Sequence, residues 1–239
     1  MNIKSFYKYQ LHNYIHSLLW YYIVLQSVIF MFLRLVLLGH NVQGNGIGMS
    51  ALIFLFLCGQ YFFKKDFYFG LQNGVSRKTM MVSLGLTNMT VATGMAIIDV
   101  ILLGGLFGMG VSLNSVSDKI FLGVGNISFF GLLYQTSLNI MITMLSSFIA
   151  IVCYRIKKSI RFGLGLGILI PLFIVFPTLD LMFAKGTAMR FLSSLLTLIF
   201  GLGIERREVH TYLFIGFLAV SGVLLLLSWV LLKKAPMKD

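Results

Sequence analysis

Seven runs of apolar side chains follow one another along the chain, separated by short polar segments. They occupy roughly residues 18–38, 47–63, 80–111, 119–153, 162–183, 189–204 and 211–232. A membrane-spanning helix takes about 20 residues, so most of these runs are long enough to cross a bilayer. Ahead of the first, Ile3, Phe6, Tyr7, Leu11, Tyr14, Ile15 and Leu18 recur at helical spacing beside an i, i+4 stripe of Lys4, Lys8, His12 and His16. That pattern predicts an amphipathic helix over residues 2–17 lying in the headgroup layer. The run 80–111 is overlong: its 32 residues would reach about 48 Å as a helix against a hydrocarbon core of about 30 Å. It must project beyond the core or break, at Gly94 or at Gly104 and Gly105. The run 189–204 is too short, with 16 residues or about 24 Å. A re-entrant hairpin within an outer segment, 184–210, is the expectation there.

Composition narrows the class. Of the 239 residues, 58% are hydrophobic and 11% charged, and mean hydropathy is +0.93. A soluble domain carries about 25% charged residues, so one is excluded. The net charge of +12 would suggest nucleic acid on a soluble surface. Here the basic residues fall between apolar runs, which points to cytoplasmic loops and away from nucleic acid. With six spans, 13 of the 19 Lys and Arg residues lie on one side, and both termini are cytoplasmic. A seventh crossing by 189–204 would put the Lys-rich carboxyl end outside. The amino terminus lacks the small-residue pattern of a cleavable signal. Cys58 and Cys153 lie in separate apolar runs with no CxxC or His spacing, so neither disulfide nor metal is expected. The expectation is therefore an all-α, polytopic cell-membrane protein with six transmembrane helices, forming one transmembrane domain over 1–239.

Candidate chemistry is sparse. No P-loop, HExxH, nucleophile elbow or paired carboxylates occur, and no catalytic residue or metal ligand is proposed. Gly163 and Gly167, like Gly104 and Gly108, have the GxxxG spacing of close helix contacts. Asp99 lies deep in an apolar run, where a carboxylate costs about 2.5–3.5 kcal/mol. It reads either as a substrate-path or ion-coupling residue, with Asn88 eleven residues away on the same stripe, or as a protonated or hydrogen-bonded packing contact. Gln135, Asn139, Thr143 and Ser146 give the fourth run one polar face, for a translocation route or for interhelical hydrogen bonds. The cytoplasmic segment 64–79, KKDFYFGLQNGVSRKT, is the sharpest local signal. It sets Phe67, Tyr68, Phe69 and Leu71 between charges, then a turn at Gly74. Exposed aromatics there suggest a docking surface; an interfacial helix resting on lipid is the alternative.

This organisation resembles the permease subunit of ABC transporters of the ABC-2 type, a bacterial exporter family. An amino-terminal elbow, six spans, a loop between spans two and three and an outer apolar hairpin carry the likeness. So does the run from Gly70 to Lys78, similar to the G-x-SR segment at the start of the third helix. The resemblance implies two permease subunits, identical or not, each engaging a separate cytosolic ATPase. Phe67, Phe69, Gly70, Leu71, Gly74 and Arg77 would form the coupling surface, and Asp99, Asn88, Gln135 and Asn139 the path. ATP and Mg would belong to the partner, with no cofactor on this chain. The substrate would be amphipathic, such as a peptide. The rival readings are a non-transporting membrane regulator or anchor, and an integral-membrane enzyme.

Overall fold

The computed structural model describes residues 2–37, 43–44, 47–108, 112–113, 129–156, 194 and 207–233. Helix α1 covers Ile3–Leu37, α2 Ile47–Gln72, α3 Arg77–Gly108, α4 Phe129–Arg155 and α5 Arg207–Lys233. Two short strands, β1 (Gln43–Gly44) and β2 (Ser112–Leu113), pair in parallel, Gln43 opposite Ser112 and Gly44 opposite Leu113. This pairing ties the α1–α2 connection to the segment leaving α3.

The first correction concerns α1. The expected division into an interfacial helix over 2–17 and a span over 18–38 is replaced by one unbroken helix of 35 residues, about 52 Å long. No Gly or Pro interrupts Ile3–Leu37. Phe6, Gln10 and Tyr14, at i, i+4 spacing, are buried against the neighbouring helices. That buried face fixes the amphipathic segment inside the bundle rather than flat in the headgroup layer. Helix α3 likewise runs through Gly94, Gly104 and Gly105 without a break, so it projects beyond a hydrocarbon core.

The second correction concerns residues 64–79. Residues 64–72 are the last turns of α2, and the connection to α3 shrinks to residues 73–76. Phe63, Phe67 and Gly70 follow i, i+4, i+7 spacing, so the face already buried along α2 stays buried to its end.

Helix directions follow from side-chain contacts. Tyr14 meets Phe62 and Tyr21 meets Phe54, so α1 and α2 are antiparallel. Gln10 meets Ser83 and Tyr22 meets Asp99, so α1 and α3 are parallel. Tyr134 meets Phe217, and Tyr154 shares a cluster with Leu232, so α4 and α5 run parallel. Helix α4 lies at the centre, packed on α2, α3 and α5.

One end of the bundle gathers the start of α1, the end of α2, the start of α3 and the ends of α4 and α5. Its core joins Phe6, Phe63, Phe67, Val75, Met80, Met81, Ile151, Tyr154 and Leu232. Lys4, Lys8, Lys64, Lys65, Lys78 and Lys233 are exposed around it, and we term it the basic end. Between the ends, the outer faces are apolar: Leu19, Trp20, Ile23 and Phe30 on α1, and Ile215, Val223, Leu226 and Val230 on α5, are all exposed. Among the described residues, four helices carry stretches long and apolar enough to cross a membrane: Ile3–Met31, Arg77–Leu102, Gly131–Arg155 and Leu213–Lys233.

Candidate functional site

The α2–α3 hairpin at the basic end is built by local capping. Gly74 adopts φ +64°, the left-handed conformation that suits glycine after a helix. Val75 N–H donates to Gly70 C=O at 2.9 Å and Gly74 N–H to Leu71 C=O at 3.1 Å, the paired bonds of a Schellman motif. Val75 then turns inward and is 4% exposed. Ser76 caps the next helix, its Oγ accepting from Thr79 N–H at 3.2 Å. The glycine and serine of the G-x-SR run are thus accounted for by helix-end chemistry.

The arginine of that run ties the hairpin to α5. Arg77 Nη1 donates to Lys233 C=O at 2.8 Å and to Leu232 C=O at 3.3 Å, satisfying carbonyls at the carboxyl end of α5. The aromatics do the same for the other helices. Phe67, only 3% exposed, meets Tyr154 of α4 edge to face, ring centroids 5.1 Å apart. Phe69 stacks on Tyr9 of α1 at 4.0 Å, and Leu71 packs beside the same core. Gly70 is enclosed: a Cβ there would lie 2.7 Å from Met80 Cε and 3.2 Å from Phe6 Cζ. Phe67 is therefore a buried anchor of the hairpin, while Phe69 and Leu71 pack on the same core and stay half-buried. What the hairpin presents to solvent is its tip: Gln72, Asn73, Gly74, Ser76 and Lys78.

Beside the hairpin base, Asp66 is 2% exposed. Its Oδ1 accepts from Asn13 Nδ2 at 3.5 Å, while its buried Oδ2 has no hydrogen-bond partner among the described residues. Burial pushes this carboxyl up to about 6, against the lowering effect of the Gln10 and Asn13 amides and of Lys65.

A second group of polar side chains runs along the interior of the bundle. Gln10 Oε1 accepts from Ser83 Oγ at 2.5 Å and Thr87 Oγ1 at 3.3 Å. Tyr14 OH donates to Asn88 Oδ1 at 3.3 Å, and Asn88 Nδ2 donates to Ser147 Oγ at 2.9 Å, so Asn88 joins α1, α3 and α4. Asn139 Nδ2 donates to Ala92 C=O, and Gln135 Nε2 to Asn139 Oδ1, both at 3.4 Å. Thr143 returns its hydroxyl to α4 carbonyls, and Ser146 donates to Phe56 C=O of α2. Gly59 makes that approach possible, because a Cβ at 59 would sit 2.7 Å from Ser146 Oγ and 2.9 Å from Ser146 Cβ.

The polar face expected on the fourth run is present, and it faces protein: Gln135, Asn139, Thr143 and Ser146 are at most 1% exposed. Asp99, 6% exposed, accepts from Tyr22 OH at 2.8 Å. It does not meet Asn88, eleven residues and about 16 Å away along α3. Of the four residues suggested for a path, only Gln135 and Asn139 come together; Asn88, Asn139 and Asp99 bond to other helices, whereas Gln135 donates to Asn139 of its own helix and its buried Oε1 has no hydrogen-bond partner among the described residues. The sequence reading missed Tyr14 and Ser147 as partners of Asn88 and Tyr22 as partner of Asp99, and it missed the separate group of Gln10, Ser83 and Thr87. The signal for them was polar residues recurring on faces that are otherwise apolar.

Gly104 and Gly108 lie in the last turns of α3. Gly163, Gly167, the run 162–183 and the segment 184–206, save Ser194, lie outside the described residues. Among the described residues no group of three His, Cys, Asp or Glu could hold a metal ion. Cys58 and Cys153 are free.

Long helices with apolar outer faces and polar side chains turned inward define a class, that of helical membrane proteins. Compared with protein-family models, curated proteins and solved structures, the chain has no match.

Proposed function

We propose that the chain is the permease subunit of an ATP-driven exporter of the ABC-2 type, acting with a second permease and separate cytosolic ATPase chains. The observation that carries this reading is the hairpin. A polar tip stands free at the basic end while its base is locked to α1 by Phe69, to α4 by Phe67 and to α5 by Arg77. Such an element passes a push at its tip to three other helices at once, as a coupling element must. The contact residues are then Gln72, Asn73, Ser76 and Lys78, with Phe67, Phe69, Gly70, Leu71, Gly74 and Arg77 as the frame that transmits the force. ATP and Mg bind the partner.

Topology supports the same reading. Helix α1 begins and α5 ends at the basic end. That favours six crossings, with both termini on one side, over seven. Exposed lysines collect at that side, as the positive-inside tendency of cytoplasmic faces requires. Most interior polar side chains close contacts within the bundle, although Gln135 Oε1 has no partner among the described residues; we take the cargo route to run between two permease subunits.

The test is co-purification with the ATPase. Gln72→Trp and Lys78→Glu change exposed tip positions, and unchanged membrane insertion and unfolding midpoint are verified for both. The two variants are expected to abolish ATPase association and transport. Undiminished association in both variants would remove the coupling assignment. The polar contacts within the bundle equally suit a second reading, a membrane anchor or regulator that binds a partner without moving cargo. In that case deletion would leave transport unchanged.

A further inference from the structure

We propose that a single water molecule binds beneath the hairpin, between Asp66 of α2 and Gln10 of α1. Both side chains are 2% exposed and line one cavity of about 10 Å³, about the least space that holds one water. The rest of its wall is apolar, built by phenylalanines and methionines with Leu84 of α3 and Leu232 of α5. Asp66 Oδ1 is engaged by Asn13 Nδ2 at 3.5 Å, whereas Oδ2 is buried with no hydrogen-bond partner among the described residues. The cation one residue away does not supply one, because Lys65 Nζ donates to Asn13 Oδ1 at 3.3 Å. A carboxyl oxygen buried in apolar surroundings calls for a donor, and the cavity has room for a small one.

The hydrogen bonds of Gln10 decide what the guest is. Its Oε1 accepts from Ser83 Oγ at 2.5 Å and from Thr87 Oγ1 at 3.3 Å, which occupies both lone pairs and sets the orientation of the amide. Nε2, a donor, is then the Gln10 atom left for the cavity. A guest between the two side chains must accept from Gln10 and donate to Asp66, and water does both. A metal cation would find one carboxylate oxygen where hard cations take about six oxygen ligands, and it would face an N–H. An anion would be repelled by the carboxylate. Water instead completes a chain that runs from Ser83 and Thr87 on α3 through Gln10 on α1 to Asp66 on α2, so three helices are joined by polar contacts at the base of the hairpin.

The full-length protein in lipid nanodiscs, imaged at a resolution that shows ordered water, provides the test. A density peak is expected within about 3.2 Å of both Asp66 Oδ2 and Gln10 Nε2. It should persist when sodium and potassium in the buffer are replaced by choline. Gln10→Met keeps the length of the side chain and removes the donor, and the peak should be lost from that variant. Should Gln10→Met fail to fold, the two wild-type measurements decide by themselves. A resolved Asp66 carboxyl with no peak beside it overturns the proposal. A peak that vanishes in choline overturns it in favour of a cation, and a peak unchanged in Gln10→Met removes Gln10 from the site and the bridge with it.

Discussion

Asp66 is the residue at which this bundle works against itself. Its carboxyl is buried between α1 and α2 with one oxygen unpartnered, so the folded chain favours the protonated form. An unfolded chain releases that proton near the ordinary value of 3.8, whereas the folded chain holds it to about 6. The contribution of Asp66 is therefore most favourable below about pH 4, declines as pH rises to about 6, and above that is a constant cost. Asp66→Asn removes the titration while keeping the shape. We expect it to stabilise the protein at pH 7.5 by roughly 2–3 kcal/mol, because each tenfold difference in proton affinity between the folded and unfolded chain is worth about 1.4 kcal/mol. The gain should fade towards pH 4. Unfolding midpoints of both forms between pH 4 and 8 measure this; a pH-independent difference would contradict it. The sequence marked this aspartate only as the single acid in a basic segment. Its burial arises because α2 continues as a helix past Lys65 and turns position 66 towards α1.

Helix ends and helix contacts set the element scale. Gly74 at φ +64° is required by the turn, since a Cβ costs about 1–2 kcal/mol in the left-handed region. Gly74→Ala is expected to lower the unfolding midpoint by a corresponding amount and Gly74→Asn by less. Equal stability of all three forms would mean that the hairpin does not depend on this turn. Gly59 plays the other part glycine takes here, close approach. Gly59→Ala would press on Ser146 of α4 and on the Thr143 carbonyl, 3.3 Å from the new Cβ. A loss of about 1–3 kcal/mol follows from overpacking. Ser146→Gly should recover part of it in a double-mutant cycle, and strict additivity would show that the two positions do not touch. Capping at the hairpin was legible in the sequence, because Gly and Ser at those spacings have few other uses. Burial of Phe67 and the stacking of half-buried Phe69 on Tyr9 were not. Charged neighbours at 64–66 suggested a loop, and the helix period through them was the stronger signal.

At the scale of the whole molecule, the parallel run of α4 and α5 and the convergence of five helix ends predict sidedness. In a background where Cys58 and Cys153 are replaced, cysteines at Asn73 and at Asn2 should label from one side of the membrane. A cysteine at Gln43 should label from the other. Labelling of Asn73 and Gln43 from the same side would refute the arrangement of α2. Addition of an impermeant thiol reagent to intact cells and to inverted vesicles makes the measurement.

Taken alone, the sequence determined that the chain is helical and membrane-embedded, where its apolar runs lie, that its cations cluster and that a tight turn follows residue 72. Those properties come from composition and from near neighbours along the chain. It could not say which apolar face meets protein, because lipid and the bundle interior are equally apolar and both accept Leu, Ile and Phe. The tertiary structure decided that. It merged an expected surface helix into α1, turned the aromatics of 64–71 into the base of a hairpin, and paired Asn88, Asn139 and Asp99 with partners on other helices. Only the packing of distant segments distinguishes a polar side chain lining a path from one closing a helix contact.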